Sequence, residues 1–320
     1  MHLDSRFKAL AGTVSLAGLL VALSAGGSAA AAPHAQAAAC QKSTNIEAII
    51  DDSGSMDFTD PSKFRTTLLD AFAALQQNQG KTLGGVEFGD TADVLFAPAT
   101  IPGVVPAMDA SFGAVNADNG STDYNLAFST AKAANPNADG RIFLSDGGHN
   151  VGPYTNGHVG TKTDTVGFGS VDTALLDKIA SDTGGRSFNL IDSSQVPAVA
   201  AAVTADMNCK KPPLVFTDNF TRQGQSFSHS FKPSGGSADI LETWNNQGSI
   251  LDVIKFSQGG GGGHASASSV AHASVKARKK SGKGFVTIHL KGLKKGQRVK
   301  FKVKARSLVA ATTGTASVIR

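Results

Sequence analysis

The sharpest chemistry in the chain lies in Asp51-Asp52-Ser53-Gly54-Ser55-Met56. An aspartate followed by hydroxyls two and four places on puts three oxygen side chains on one tight loop. Hard cations such as Mg²⁺ take oxygen ligands in a near-octahedral shell and keep some of their waters. One carboxylate and two hydroxyls leave such an ion short of negative charge, so an acidic group from outside is welcome. Two other clusters could serve the same ion, Gly120-Ser121-Thr122-Asp123 and Ser145-Asp146-Gly147-Gly148. Taken singly, each cluster is also ordinary turn and helix-cap chemistry, because Asp, Ser and Gly are common in both.

Other catalytic patterns are missing or broken. Gly80-Lys81-Thr82 looks like the end of a phosphate-binding loop, but Leu75 stands where that loop needs glycine. The chain has no G-x-S-x-G nucleophile elbow. His149 sits beside Asp146 but belongs to no His/Cys cluster, so it reads as a solvated loop histidine rather than a zinc ligand. The residues therefore point to binding and not to an enzyme.

The elements that must position these clusters can be read from hydrophobic periodicity. Asn45–Ile50 is a short apolar strand that ends at the Asp51 cluster. Ser62–Gln77 has helical spacing, with Phe64, Leu68, Leu69, Phe72 and Leu75 near one face. Strands follow at Thr82–Phe88 and Asp93–Phe96, then helices at Pro102–Val115 and Tyr124–Ala134. Arg141–Leu144, Thr165–Phe168 and Arg186–Ile191 are further strands, and Val171–Thr183 and Gln195–Met207 further helices. Alternation of this kind predicts a doubly wound, mostly parallel α/β sheet covered by helices on both faces. Loops at the carboxyl ends of its strands would form the binding crevice.

With that frame, the clusters resemble von Willebrand factor A-type modules. Ile49–Met56 resembles the first metal motif of that family, Gly120–Asp123 the second and Ile142–Gly147 the third, in family order. Val86-Glu87-Phe88-Gly89 and Thr165-Val166-Gly167-Phe168-Gly169 resemble two of its strands, so the likeness covers about residues 44–208. The resemblance implies a Rossmann-like fold and a metal-ion-dependent adhesion site. Ser53 and Ser55 would touch the ion directly, as would Thr122, at least once a ligand is bound. Asp51 and Asp146 would hold the ion directly or through water. The ion would be Mg²⁺, or Mn²⁺ or Ca²⁺, with its sixth position filled by a carboxylate of a partner.

After Pro212-Pro213 the pattern changes to short alternating runs such as Phe285–Leu290 and Val299–Lys304, which read as half-buried antiparallel strands. A small β-sandwich is expected over 211–320, with Gly259–Gly263 as a flexible loop and Trp244 in the core. Its early strands weakly resemble pre-peptidase C-terminal β-sandwiches, through Phe227–Gly235 and Ala238–Trp244. This half is expected to fold separately from 38–210, with the boundary near Lys210–Pro213.

Net charge is +5, and Lys276–Arg306 supplies it, with many Lys and Arg and no acid. A solvated strand face that guards a sheet edge is one reading. A patch for an anionic cell-envelope polymer is the other. Nucleic acid is disfavoured, because no aromatic stacking platform is interleaved with the tract.

Arg6 and Lys8, the apolar run from Ala9 and the small residues near Ala35–Ala37 read as an export signal, placing residues 1–37 in a signal and linker. No later segment is apolar enough to span a membrane. Export permits a disulfide between the two cysteines, Cys40 and Cys209, against the alternatives of a lipid-modified Cys40 or free thiols. Together these features predict a secreted, metal-dependent adhesion protein. The alternatives are an envelope protein attached through its basic β-domain and an accessory subunit of an enzyme complex.

Overall fold

The structure, a computed structural model, describes residues 40–169, 173–190, 195–246, 248–259, 273–280 and 283–320. The expected export signal and most of the Gly259–Gly263 loop lie outside the described residues.

The α/β half runs β1 (Asn45–Asp51), α1 (Met56–Thr59), α2 (Phe64–Ala74), β2 (Thr82–Phe88), β3 (Ala92–Thr100), α3 (Val105–Ser111), α4 (Tyr124–Ala134), β4 (Gly140–Ser145), β5 (Lys162–Phe168), α5 (Thr173–Thr183), β6 (Ser187–Leu190) and α6 (Val196–Met207). Its sheet has the order β3-β2-β1-β4-β5-β6. All pairs are parallel except β2 with the edge strand β3. Successive side chains on β1 point to opposite faces, as a strand requires. Ile46, Ala48 and Ile50 pack with residues of α2, α3 and α6, while Ile49 packs with Tyr124 and Phe128 of α4 and Leu176 and Ile179 of α5. Two apolar layers therefore enclose the central strands, which is why β1 and β4 are buried on both faces, Glu47 and Arg141 included.

Two helices are shorter than their periodicity predicts. α2 starts at Phe64 because the Asp60 carboxylate accepts from the backbone N–H groups of Phe64 and Arg65, at 2.6 and 3.1 Å. It ends at Ala74, and a 3₁₀ turn over Gln76–Asn78 follows. α3 covers only Val105–Ser111 of the expected Pro102–Val115, with Pro106 in its first turn.

The remaining strands are β7 (Leu214–Phe220), β8 (Ser226–Phe231), β9 (Ser237–Trp244), β10 (Ile250–Gly259), β11 (Ala273–Lys280), β12 (Lys283–Lys291), β13 (Arg298–Ser307) and β14 (Thr312–Ile319). They form two antiparallel sheets, β11-β12-β9-β14-β7 and β10-β13-β8. Ile240, Trp244, Ile288, Val318, Phe301 and Val303 fill the space between them.

Half-burial holds for β13, which alternates buried and exposed, but fails for β9 and β14, which are buried almost throughout. The reason is a third layer. Leu241, Phe285 and Ile319, on the far face of the five-stranded sheet, belong to the same apolar cluster as α2 and α6. The Gln77 N–H also donates to Asp239 Oδ2 at 3.0 Å across this junction. Residues Cys40–Arg320 accordingly form one compact unit.

Cys40 and Cys209 are joined as a disulfide, with Cα atoms 5.7 Å apart. Beside it, the Ser43 N–H donates to Met207 O at 2.9 Å, so the start and end of the α/β half meet.

Candidate metal centre

β1 and β4 lie side by side, with Ile50 level with Leu144. Their carboxyl ends bring Asp51 and Asp52 alongside Ser145 and Asp146. From this pair the sheet extends to β2 on one side and to β5 on the other. Such a switch point opens a crevice at the strand ends.

Asp51 is fully buried. Its Oδ1 accepts from the Ser53 N–H at 2.9 Å, and its Oδ2 from Ser145 Oγ at 2.5 Å. Tyr124 Oη lies 2.6 Å from the same Ser145 hydroxyl. Ser53 is buried and Ser55 exposed, yet their hydroxyls stand 3.2 Å apart. The turn of α1 then begins on the buried Met56 and returns Thr59, whose hydroxyl donates to Asp146 Oδ2 at 3.1 Å. Asp51, Ser53, Ser55 and Asp146 are thereby linked through short contacts.

The second loop is docked onto the first. Gly54 N–H donates to Gly120 O at 2.9 Å, and Asn119 N–H to Asp52 O at 3.1 Å. Gly120 has φ +53°, and a Cβ there would lie 1.9 Å from Asp90 Oδ2, so both backbone and space demand glycine. Thr122 is buried; its N–H donates to Asn150 Oδ1 at 2.8 Å and its carbonyl accepts from the Asn150 N–H at 3.0 Å, which ties it to the loop after Asp146. Asp123 caps α4, accepting from the N–H groups of Asn125 and Leu126.

The charges in this crevice are unbalanced. Burial raises the Asp51 carboxyl to about 6, against the pull of the Ser145 and Ser53 hydrogen bonds, and the neighbouring Asp146 adds to the rise. Glu87, at the end of β2, is pushed to about 7 by burial and by the charges of Asp52, Asp93 and Asp118. Arg65 is fully buried, but its guanidinium serves Asp52 at 3.3 Å and Asp60 at 3.0 Å.

The donor set fits a divalent cation. Asp51, Asp146, Ser53, Ser55 and Thr122 would offer two carboxylates and three hydroxyls, all oxygen, beside a desolvated negative charge. Among the described residues there is no group of three or more His, Cys, Asp or Glu that could hold a metal. The fit therefore depends on hydroxyls, which suit Mg²⁺ better than zinc.

Sequence reasoning missed Arg65 and Thr59 and misplaced His149. Arg65 lies within the expected helix Ser62–Gln77, and no motif singles it out. Thr59 lies four residues after Ser55, the spacing that shares a helix face, and this was its only signal. His149 is not a solvated loop side chain. Its Nδ1 accepts from the Tyr124 N–H at 3.1 Å, and its ring packs against Tyr124 and Tyr154.

The doubly wound, mostly parallel sheet and the three loops at one sheet end are those the sequence predicted. The α/β half is the doubly wound, mostly parallel sheet that the resemblance to von Willebrand A-type modules implied. No family model matches the chain, and no curated protein matches it. Among solved structures it is similar to a von Willebrand factor type A protein from Catenulispora acidiphila, at 17% identity and TM-score 0.45, over 82% of this chain and 58% of that one. It is also similar to proximal thread matrix protein 1 from the mussel byssus with a zinc-occupied MIDAS motif, at 16% identity and TM-score 0.41, over 55% of this chain and 50% of that one. A third is an aerotolerance-related membrane protein from Bacteroides fragilis, at 12% identity and TM-score 0.43, over 51% of this chain and 98% of that one. Likenesses this distant assign no function.

Proposed function

We propose that this chain is a metal-dependent binding protein, not an enzyme. A divalent cation, Mg²⁺ in the first instance, is held by Ser53, Ser55 and Thr122, with Asp51 and Asp146 bound directly or through water. A carboxylate of the partner completes the shell. The observation that carries this reading is the convergence of three sequence-distant loops at one strand-end crevice, joined by the Gly54–Gly120, Thr59–Asp146 and Asp51–Ser145 hydrogen bonds.

When bound, the ion supplies positive charge where the protein has buried negative charge. The protein's part is to orient. Ser145 and the Ser53 N–H fix the Asp51 carboxylate, and Thr59 fixes that of Asp146. Ser55 stays exposed at the rim, where a partner would arrive.

The Cys40–Cys209 disulfide supports an oxidising compartment, and with it secretion. Among the described residues no helix is long and apolar enough to cross a membrane.

The test is calorimetric titration of the full chain with Mg²⁺, followed by pull-down from native surroundings in Mg²⁺ and in EDTA. The expected result is saturable Mg²⁺ binding and capture that EDTA abolishes. Failure of the chain to bind Mg²⁺, Mn²⁺ or Ca²⁺ would overturn the reading.

A further inference from the structure

The second charged region lies on the outer face of the β10-β13-β8 sheet. β13 is the middle strand of that sheet. Val299, Phe301, Val303 and Ala305 point into the sandwich core, so the alternate residues Arg298, Lys300, Lys302, Lys304 and Arg306 stand on the outer face. Alternate positions on a strand are roughly 6.8 Å apart, so this row runs roughly 27 Å.

Its neighbours do not neutralise it. On β8, Ser230, Ser228 and Ser226 are exposed and lie level with Lys300, Lys302 and Lys304. On β10, Ser257, Ile254 and Asp252 hold the corresponding places. Asp252 is the one acid among these six, and it pairs with Arg306 at 3.1 Å. Opposite charges across strands stabilise a sheet, and a solvated face ordinarily mixes both signs. Here Lys300, Lys302 and Lys304 stand in line beside three serines of β8, with Asp252 as the single acid on the β10 side. Edge protection does not explain them, because β13 has a hydrogen-bonded strand on either side.

We infer that this face is a binding site for a linear phosphodiester polymer without bases, laid along β13 so that successive phosphates meet Lys300, Lys302 and Lys304 while serine hydroxyls donate beside them. The lysine row supplies the periodicity and the charge, and the serines supply room and neutral donors. Single-stranded nucleic acid carries similar charge, but its protein sites add aromatic stacking, and the described outer face has no aromatic. The inference is independent of the metal site, because binding here needs no divalent cation.

The experiment uses the full chain and two probes, purified poly(glycerol phosphate) and oligo(dT), in EDTA and over a range of NaCl. The expected result is binding of poly(glycerol phosphate) that weakens with salt and exceeds that of oligo(dT). The triple variant Lys300→Ser, Lys302→Ser, Lys304→Ser should weaken binding at least tenfold. It should also reduce the salt slope by about 2, taking about 0.7 per phosphate contact for a single strand. A control with the same loss of charge elsewhere, Lys132→Ser, Lys210→Ser, Lys211→Ser, should bind as wild type. The unfolding transition of each variant shows that it remains folded. Equal weakening by the control would reduce the effect to net charge and overturn the site. Tighter binding of oligo(dT) would overturn the polymer class, and loss of binding in EDTA alone would move the contact to the metal crevice.

Discussion

The two charged regions are built by opposite means. The crevice at the ends of β1 and β4 gathers oxygen side chains from three loops far apart in sequence, and hydrogen bonds tie those loops to one another. The face of β13 takes its charges from one strand, two residues apart, and sets their spacing by the pleat, with the Arg306–Asp252 pair at one end. A site of the first kind depends on the whole fold and fails when one loop moves. A site of the second kind survives wherever the strand survives. Substitutions should therefore separate the two regions cleanly.

The largest effect is expected from Asp51→Ala. It should abolish Mg²⁺ binding in calorimetry and EDTA-sensitive partner capture, while leaving binding to anionic polymers unchanged. The fold should persist, because the variant removes a buried carboxylate and cavity cost at this loop is small beside the desolvated charge. A ligand that binds only the folded state raises stability. Mg²⁺ should therefore raise the unfolding temperature of wild type and not of the variant. A variant that still gains stability from Mg²⁺ would show that the ion sits elsewhere.

How much of this was legible in the sequence follows from the same contrast. Asp51, Ser53, Ser55, Thr122 and Asp146 could be singled out as candidates because motif residues lie close in sequence within each loop. Strand–helix alternation then placed all three loops at one end of the sheet. The supports were not legible. Arg65 is charged and sits in an amphipathic stripe, so its burial depends on Asp52 and Asp60 arriving from other turns. The β13 row was visible as alternation, but its central position was not, since strand order is a long-range property. Nor did the alternation rule foresee β9 and β14, where docking against α2 and α6 buries the second face.

The disulfide comes next in size. Cys40 and Cys209 are 169 residues apart, and a loop this long contributes about 5 kcal/mol in the chain-entropy model. The double variant Cys40→Ser, Cys209→Ser should lose about 2–5 kcal/mol in urea unfolding. Intact mass with and without reduction, after alkylation, should show one bond and no free thiol. A diacylglycerol mass on Cys40 would contradict it.

Arg65→Met tests the buried support of the crevice. It would leave Asp52 and Asp60 as buried acids without their cation, a change that costs about 3–5 kcal/mol. Because Asp52 Oδ1 also accepts from the Ala117 N–H, Mg²⁺ affinity should fall as well. The lysine-to-serine variant on β13 should be nearly neutral in the same unfolding assay. Comparable losses in both would erase the contrast between the two regions.

A pH effect should arise away from both sites. Asp164 on β5 is buried, and burial together with the charge of Asp206 raises its carboxyl to about 8. An aspartate in the unfolded chain titrates near 3.9. Between these values the folded state holds the extra proton, so this group's contribution to stability falls as pH rises from about 4 to about 8 and then levels. Asp164→Asn keeps an acceptor for the Arg186 N–H, which now donates to Oδ1 at 2.9 Å. It should flatten the pH dependence of the urea midpoint over that window. An unchanged slope would mean that Asp164 ionises normally in the fold.

The smallest effect is expected at Phe58. It is the most exposed large apolar side chain among the described residues, at 85%. Single exposed apolar residues are ordinary on protein surfaces, so position has to carry the argument. Phe58 lies three residues after Ser55 in the α1 turn, and its N–H donates to Ser55 O at 3.0 Å. Residues three apart in a helical turn are neighbours, with Cβ atoms about 5–6 Å apart. Phe58 is thus placed beside the hydroxyl assigned to the ion, on the rim a carboxylate must cross. Aromatic anchors next to a polar contact carry a large share of interface energy. Phe58→Ala should leave Mg²⁺ affinity unchanged and weaken the Mg²⁺-dependent capture about tenfold, or about 1.4 kcal/mol. Asp51→Ala removes both Mg²⁺ binding and capture, so the pair of variants separates the ion from the apolar contact. If Phe58→Ala captures the partner as well as wild type does, the partner's footprint is confined to the ion and its loops.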